Sequence, residues 1–552
     1  MDICSMPIIK EIYIKNFKSI KEETFIFSNN MNAILGSNNV GKSNLLEAIK
    51  RCLGSKWLSA NSFSSDDIHK KQDGEPIIIK IIFKEALIYK KYTVSPETKV
   101  YGFQFEYKPY RRGEDKGHYH LEQRCLNQNK EIIPTIITKY EQGKGAVPEA
   151  FTTIPQELKD EIKIIYMGLP RTIESQLPSS QYSFLRIMLQ DVCEEIENDS
   201  EKKRKYTELI QKLMDFLSTE HFQEIEQSIK DNTKSQLGIH KDDTSIDVCF
   251  NTFSPLTFFN NLDIIFKEND FTISAKELGQ GIQNAVVLSI MQTYEKMKKN
   301  GAIILIEEPE SFLHPQKQKY LYETFEKISE TNQLIYSTHS PYFVALPNFY
   351  QVIRLIKENS ETKVKNIHSE QWKKIAKELW KQSEELKILK DFDTETREFF
   401  FSQAAIIVEG DTERLSLPVY ANRLKFNFNA ADVSIVNARG KKNLYKFILI
   451  AQTLNIKTVA FYDTDASDFK NQPEEEKKYN LKLNALANET THVVAFDKDY
   501  EEELKKTLGE AKYNEICKEI QGTKPIKACQ IAQNETLPIP EKIQKAIDWL
   551  SS

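Results

Sequence analysis

Short apolar runs separated by turn residues open the chain. IIKEIYIKNF, TFIFSNNMNAILG, EPIIIKIIFKEALIY and VYGFQFEY are rich in β-branched and aromatic residues, a pattern that predicts strands. After Phe25–Leu35 a glycine-bounded loop leads into NLLEAIKRCL, where Leu45, Leu46, Ile49 and Leu53 recur at helical spacing. Between about Ile154 and Gln236 apolar residues return every three or four positions within a charged background, which predicts a helical insertion. DVCFNTFSPLTFF then reads as β-like, NNLDIIFKENDFTISAK as framework without a motif, and the stretch from Glu277 as helix-rich. From Ser369, SEQWKKIAKELWKQSEELKILKDF reads as a helical connector. Beyond it AAIIVEG, DVSIVNA, KTVAFYD and THVVAFD alternate with helical segments, the pattern of a smaller α/β domain with a mostly parallel sheet.

The expected division follows these changes of period. Residues 1–153 are expected to form the first part of a larger α/β unit, 154–240 the helical insertion and 241–368 the second part of that unit. Residues 369–398 form the connector and 399–552 the second α/β domain. A chain of 552 residues is too long for one core and suits ~3–4 domain-sized units.

Composition narrows the function class. A net charge of -5 carries no global basic signal, so any nucleic-acid surface must be a local patch. The run Lys202–Lys203–Arg204–Lys205 reads as a solvated helix face. The seven cysteines are scattered with no C-x-x-C pair, which argues against a disulfide framework or a structural zinc site. The first twenty residues lack the apolar core of a signal peptide, and no apolar run has the length of a membrane span. The expectation is a cytoplasmic chain without a membrane partner.

Gly36-Ser37-Asn38-Asn39-Val40-Gly41-Lys42-Ser43 satisfies G-x-x-x-x-G-K-[ST] at the place where a strand gives way to a helix. Backbone N–H groups of such a loop cradle phosphate oxygens, and the helix offers them its N-terminus. Lys42 would reach the outer phosphates of ATP and Ser43 would hold Mg²⁺. The apolar run Ala302–Ile306 delivers Glu307 and Glu308 at its end. Successive strand residues point opposite ways, so Glu307 is expected at the magnesium and Glu308 as the group polarising the attacking water. Gly279, Gly281 and Gln283 precede this strand, and His339 follows the next one. That order resembles the ATP-binding-cassette (ABC) family, in its SMC and RecF-like branch. The resemblance implies two heads sandwiching ATP in a homodimer, the glycine signature facing the partner's phosphates and His339 meeting the γ-phosphate.

The second site begins at Ile406-Ile407-Val408-Glu409-Gly410-Asp411-Thr412-Glu413. The glycine permits a tight turn that leaves Glu409 at the carboxyl edge of a strand, where open α/β sheets place ligands. Glu413 reads either as a further ligand or as an acid favouring the helix dipole. Thr458–Asp465 ends in Asp463-x-Asp465, and both carboxylates share a side if the strand continues. Hard oxygen donors without His or Cys suit Mg²⁺, with Mn²⁺ as the other candidate.

An apolar strand ending in Glu-Gly followed by one ending in D-x-D resembles a Toprim domain. Joined to an ABC-type head, it resembles the OLD (overcoming lysogenisation defect) family of nucleases, to which the Gabija defence nuclease subunit belongs. IKNFKSI, GSNNVGKS, GQGIQ, IEEPESFLHP, STHSPYF, IIVEGDTE and FYDTD carry the resemblance in order. It implies an α/β fold with an SMC/RecF-like ATPase head, a dimerising helical insertion and a Toprim nuclease domain. It further implies Asp499 and Glu501 as ligands and Lys524 of Lys524-Pro525 as a catalytic lysine. Two-metal phosphodiester hydrolysis of double-stranded DNA would follow, with Glu409, Asp463 and Asp465 holding the ions and ATP gating the cut. Phage defence, a homodimer or higher oligomer, and a helicase or other defence subunit as partner belong to the same expectation. The competing reading is a RecF- or SMC-like repair ATPase that binds DNA without cleaving it.

Overall fold

The computed structural model describes residues 7–27, 30–54, 58–71, 74–110, 117–169, 172–236, 254–268, 271–297, 301–344, 351–366, 394–465 and 474–552. They fall into two compact units, Met1–Ile162 with Ile303–Ser552, and Lys163–Ala302.

The first unit holds three main sheets. In the antiparallel one the strands run in the order Ile20–Ile26, Ile9–Phe17, Ile77–Tyr89, Thr98–Pro109 and Tyr119–Leu126. Ile9–Phe17 is buried at Ile12 and Ile14 and more open at Tyr13 and Lys15, the alternation of a strand with one face on the core. Within this unit the second sheet runs Glu361–Asn366, Val352–Glu358, Met31–Leu35, Gln333–Ser337 and Ala302–Glu307. Its central strand, Met31–Leu35, is parallel to both neighbours. Met31–Leu35 and Gln333–Ser337 are buried along their whole length, which explains continuous apolar runs where alternation would mark an exposed face.

The third sheet has four parallel strands in the order Val433–Asn437, Ala404–Val408, Lys457–Asp463, Thr491–Phe496. The chain starts at Ala404–Val408, adds a strand on one side and then crosses to the other. That reversal makes a crevice at the carboxyl ends of Ala404–Val408 and Lys457–Asp463, where such sheets bind ligands. Helices Asp411–Arg423 and Glu541–Ser551 close one face through Leu417, Tyr420, Ile543 and Ile547, which share one buried core with Phe461 and Phe496. Each such side chain contributes ~1.5–3 kcal/mol by burial.

The second unit contains helices Phe184–Asn198, Ser200–Leu217, Glu220–Gln236 and Gln280–Lys296. Ser183 caps the first by accepting from Arg186 N (3.1 Å), and Asp199 caps the second by accepting from Glu201 N (2.9 Å). Three local readings change. The strand Lys163–Met167 lies inside the stretch expected to be helical. Pro255–Phe259, expected to be β-like, is a short helix because Ser254 caps it and Pro255 occupies its first turn. The motif-free stretch forms the hairpin Ile265–Glu268 with Phe271–Ser274. The expected connector lies outside the described residues as far as 393, and Thr394–Glu398 is helical.

Candidate active site

The nucleotide loop leaves the buried strand Met31–Leu35 at Gly36, whose φ is +149°. A Cβ there would meet Leu355 O at 2.5 Å, and one on Gly41 (φ +105°) would meet Thr362 Oγ1 at 2.5 Å. Both glycines are required by the close approach of the hairpin Val352–Glu358/Glu361–Asn366. That hairpin also braces the loop: Thr362 Oγ1 donates to Val40 O (2.7 Å) and Lys357 Nζ to Asn39 O (3.3 Å). Lys42 Nζ donates to Gly36 O (2.9 Å) and Ser37 O (3.0 Å), which holds the ammonium inside the loop. Burial lowers its pKa, while Glu308 and Glu310 oppose that shift.

Ser43 and Glu307, expected to share one magnesium, do come together: Ser43 Oγ donates to Glu307 Oε2 at 3.1 Å. The strand ends at Glu307, and Glu308 adopts φ +43°. Its direction is therefore set by a left-handed turn and not by strand alternation. Glu308 Oε1 lies 4.0 Å from His339 Nε2, a buried nitrogen without a hydrogen-bond partner. Burial, and then the charge of Lys42, lowers the His339 pKa, so the imidazole is neutral near pH 7. Glu310 was not singled out by the motifs. Its Oε1 accepts from His339 N (2.5 Å) and its Oε2 from Thr338 Oγ1 (2.8 Å), so it orients the turn that carries the histidine. The signal was the third acid of E-E-P-E.

Gly279, Gly281 and Gln283 belong to the second unit, with Gly279 as the N-cap of helix Gln280–Lys296. Gln283 is buried, accepts from Ile173 N (3.3 Å) and donates to Lys276 O (2.9 Å) and Leu278 O (2.8 Å). Its amide holds its own turn within this chain.

The acidic centre occupies the crevice of the parallel sheet. Glu409 follows the buried strand Ala404–Val408, and its Oε2 accepts from Asp463 N on the adjacent strand (3.2 Å). Glu413, 3% exposed, stands in the first turn of helix Asp411–Arg423. Burial, with Glu409 and Glu501 nearby, pushes its pKa up to about 7. Burial also pushes Asp463 up to about 8, reinforced by Glu413, Glu409, Asp465 and Asp499. Asp463 Oδ1 is buried without a hydrogen-bond partner. Asp499 caps helix Tyr500–Leu508 by accepting from Glu502 N (2.8 Å). Glu501 pairs with Lys524 Nζ at 3.1 Å. Lys524 is 74% exposed, whereas Lys527 donates to Cys517 O (2.9 Å), so of the two lysines it is Lys524 that joins the acids.

Asp465 departs from the same-side expectation. The strand stops at Asp463, and Asp465 has φ +53° with its N–H donated to Lys498 O (2.9 Å). Its carboxylate turns to Lys441, which sequence reasoning missed. Lys441 is 7% exposed, and its Nζ donates to Asp465 Oδ2 (2.5 Å) and Glu476 Oε2 (2.7 Å). Burial would lower its pKa, but these two carboxylates outweigh that and hold it above the usual value. A buried lysine that opens a helix stands against the dipole, so a local charge demand must fix it there. The legible signal was Gly440-Lys441 directly after a strand.

Among the described residues, no group of three or more His, Cys, Asp or Glu side chains is arranged to hold a metal ion as it stands. The crowded acids and the orphaned oxygen of Asp463 nevertheless fit a hard divalent cation, whose charge would relieve both.

The pattern of the AAA ATPase domain family matches residues 8–344, more than half of the chain. The Overcoming lysogenization defect protein-like TOPRIM domain matches residues 400–465. The chain belongs to the AAA ATPase domain family. It is 27% identical over 475 residues to an OLD nuclease of Thermus scotoductus, covering 85% of this chain and 84% of that protein. It is 23% identical to the Old nuclease of Escherichia phage P2, covering 83% and 77%. It is 27% identical to an endonuclease GajA of Bacillus cereus over a shorter stretch, 43% of this chain and 38% of the relative. The TOPRIM match spans Glu409, Glu413, Lys441, Asp463 and Asp465. Asp499, Glu501 and Lys524 lie beyond it and are joined to the centre by the contacts above.

Proposed function

We infer that the protein is an ATP-regulated, divalent-metal-dependent DNA endonuclease acting in antiviral defence. The observation that carries this reading is the acidic crevice: Glu409 locked to Asp463 across adjacent strands, with an orphaned buried oxygen, behind a complete nucleotide loop in the same unit. The relatives named as nucleases support it.

Glu409, Glu413, Asp463 and Asp465 would hold the metal, Mg²⁺ or Mn²⁺, with Asp499 and Glu501 at the rim. Bound divalent ions supply an activated water and stabilise the leaving oxygen of the phosphodiester. Lys524, exposed and paired with Glu501, would offset charge that builds on the phosphate. Lys441 holds Asp465 and Glu476 in place. In the head, Gly36–Ser43 cradles the ATP phosphates, Lys42 neutralises them, and Ser43 with Glu307 holds its magnesium. Glu308, facing the neutral His339, orients water. ATP then gates cleavage through rearrangement of the dimer and takes no part in the cutting step itself.

A second copy is the expected oligomeric partner. Leu209, Leu213, Phe216 and Leu217 line helix Ser200–Leu217 as exposed apolar side chains, and such a surface favours burial against another protein. A cytoplasmic setting and a helicase or other defence-system subunit as partner complete the reading.

The test is supercoiled plasmid incubated with the full chain and Mg²⁺ or Mn²⁺, with and without ATP, beside Glu409→Ala. Nicked or linear product from the wild type alone is expected, with the ATP lanes giving the sign of control. Intact plasmid in every lane, with DNA-stimulated ATP hydrolysis, would replace this reading by the repair ATPase.

A further inference from the structure

Two helices, Lys441–Thr453 and Glu474–Asn484, pack against one another and both begin at the acidic centre, where Lys441 Nζ bridges Asp465 and Glu476. Past that bridge, Lys442, Lys477, Lys478 and Lys482 are exposed, with half-buried Tyr445 and Tyr479 among them. Lys442 Nζ lies 5.6 Å from the Tyr479 ring, and Lys482 Nζ lies 5.8 Å from Tyr445 and 5.4 Å from Tyr479. The Lys442–Tyr479 and Lys482–Tyr445 contacts cross between the helices, so lysines and tyrosines form one continuous face.

The charge of this face is unbalanced. Residues 441–453 and 477–484 contain no Asp or Glu, and the salt bridges among the described residues leave Lys442, Lys477, Lys478 and Lys482 without a carboxylate. The basic run of helix Ser200–Leu217 differs: Lys202 pairs with Glu195, Arg204 with Glu208 and Lys205 with Glu201. In a chain of net charge -5, uncompensated lysines beside a cluster of acids mark a place where an outside anion is to be held. A polyanion threading past Glu409, Asp463 and Asp465 is repelled by them and needs cations alongside. The aromatic rings add surfaces on which sugars and bases pack. Lys478 and Lys482 are one helical turn apart, roughly 6 Å along the axis, which is compatible with phosphates spaced ~3.4 Å along one strand.

We propose that this two-helix face is the track on which the DNA backbone lies as it passes the acidic centre. Lys442, Lys478 and Lys482 contact phosphates, and Tyr445 and Tyr479 pack against the nucleotides. The proposal rests on the nuclease reading, because it names where that enzyme's substrate is held.

The experiment compares full-length wild type with K442Q/K478Q/K482Q and with K202Q/R204Q/K205Q, which removes equal charge from the paired run. Binding of a labelled duplex is measured by anisotropy across a KCl series, alongside Mn²⁺ binding by calorimetry and plasmid cleavage. For the first variant the slope of log K against log salt should shrink by ~2–3, and the KM for plasmid should rise at least about tenfold. Mn²⁺ binding should hold, and the second variant should keep the wild-type slope. A wild-type slope in the first variant, or the same loss in both variants, overturns the proposal. So does a variant that loses kcat with KM unchanged. Should the wild type bind duplex but cut nothing with either metal, the nuclease reading fails while the slope comparison still decides the face.

Discussion

Arg354 tests the join between head and acidic domain. It sits on the strand beside the nucleotide-loop strand, opposite Leu35 in register, and is 4% exposed. Its guanidinium donates to Leu454 O (2.7 Å) and Asn455 O (3.2 Å) at the end of helix Lys441–Thr453, and to Ser402 O just before strand Ala404–Val408. Burial lowers its pKa to about 10, so it stays charged at pH 7. Arg354→Met strips donors from three carbonyls. Hydrogen bonds to a charged group contribute ~1.5–3 kcal/mol each, an upper sum of ~4.5–9 kcal/mol. Relief from burying the guanidinium returns several kcal/mol, which leaves a net loss of ~2–4 kcal/mol. At ~2–4 °C per kcal/mol for a large cooperative unit, Tm should fall by roughly 5–15 °C. Arg354→Lys should fall between, because it keeps the charge and one donor. Differential scanning calorimetry and urea unfolding of the three proteins read this out. A methionine variant within ~0.5 kcal/mol of wild type would refute the assignment of Arg354 as the pin between the two halves.

Lys441→Met should abolish plasmid cleavage while leaving ATP binding intact, because it frees Asp465 and Glu476 to repel; full cleavage would remove Lys441 from the site. Stripped of metal, the protein should lose stability as pH rises: Glu413 near about 7 and Asp463 near about 8 keep protons that the unfolded chain releases from pH ~4 upward. Melting at pH 5.5 and 8 after chelation checks this, with Asp463→Asn flattening the trend; a rise in stability over that range contradicts it. L213E/F216E should shift light-scattering mass toward a smaller species if helix Ser200–Leu217 joins two copies, and an unchanged mass would rule that helix out. Lys42→Ala should weaken ATP binding at least about tenfold, as expected when a phosphate loses its lysine partner, with binding measured by a fluorescent nucleotide.

The sequence by itself determined what local rules govern. The G-x-x-x-x-G-K-S loop, the buried strands that deliver Glu307, Glu409 and Asp463, and the parallel order of the second domain were legible because period and glycine placement are encoded in neighbouring residues. Tertiary structure alone decided which distant groups meet. Lys441 joins Asp465 because the strand stops at Asp463 and a left-handed turn redirects the carboxylate, neither of which spacing can announce. Glu310 reaches Thr338 and His339 across a sheet, and Lys524 was separated from Lys527 only by which of them faces Glu501. Arg354 looked like an ordinary strand residue until packing buried it against three carbonyls. Burial and long-range pairing also set the charges of Glu413 and Asp463, because a carboxylate's pKa responds to the low dielectric and the neighbouring acids that folding gathers around it.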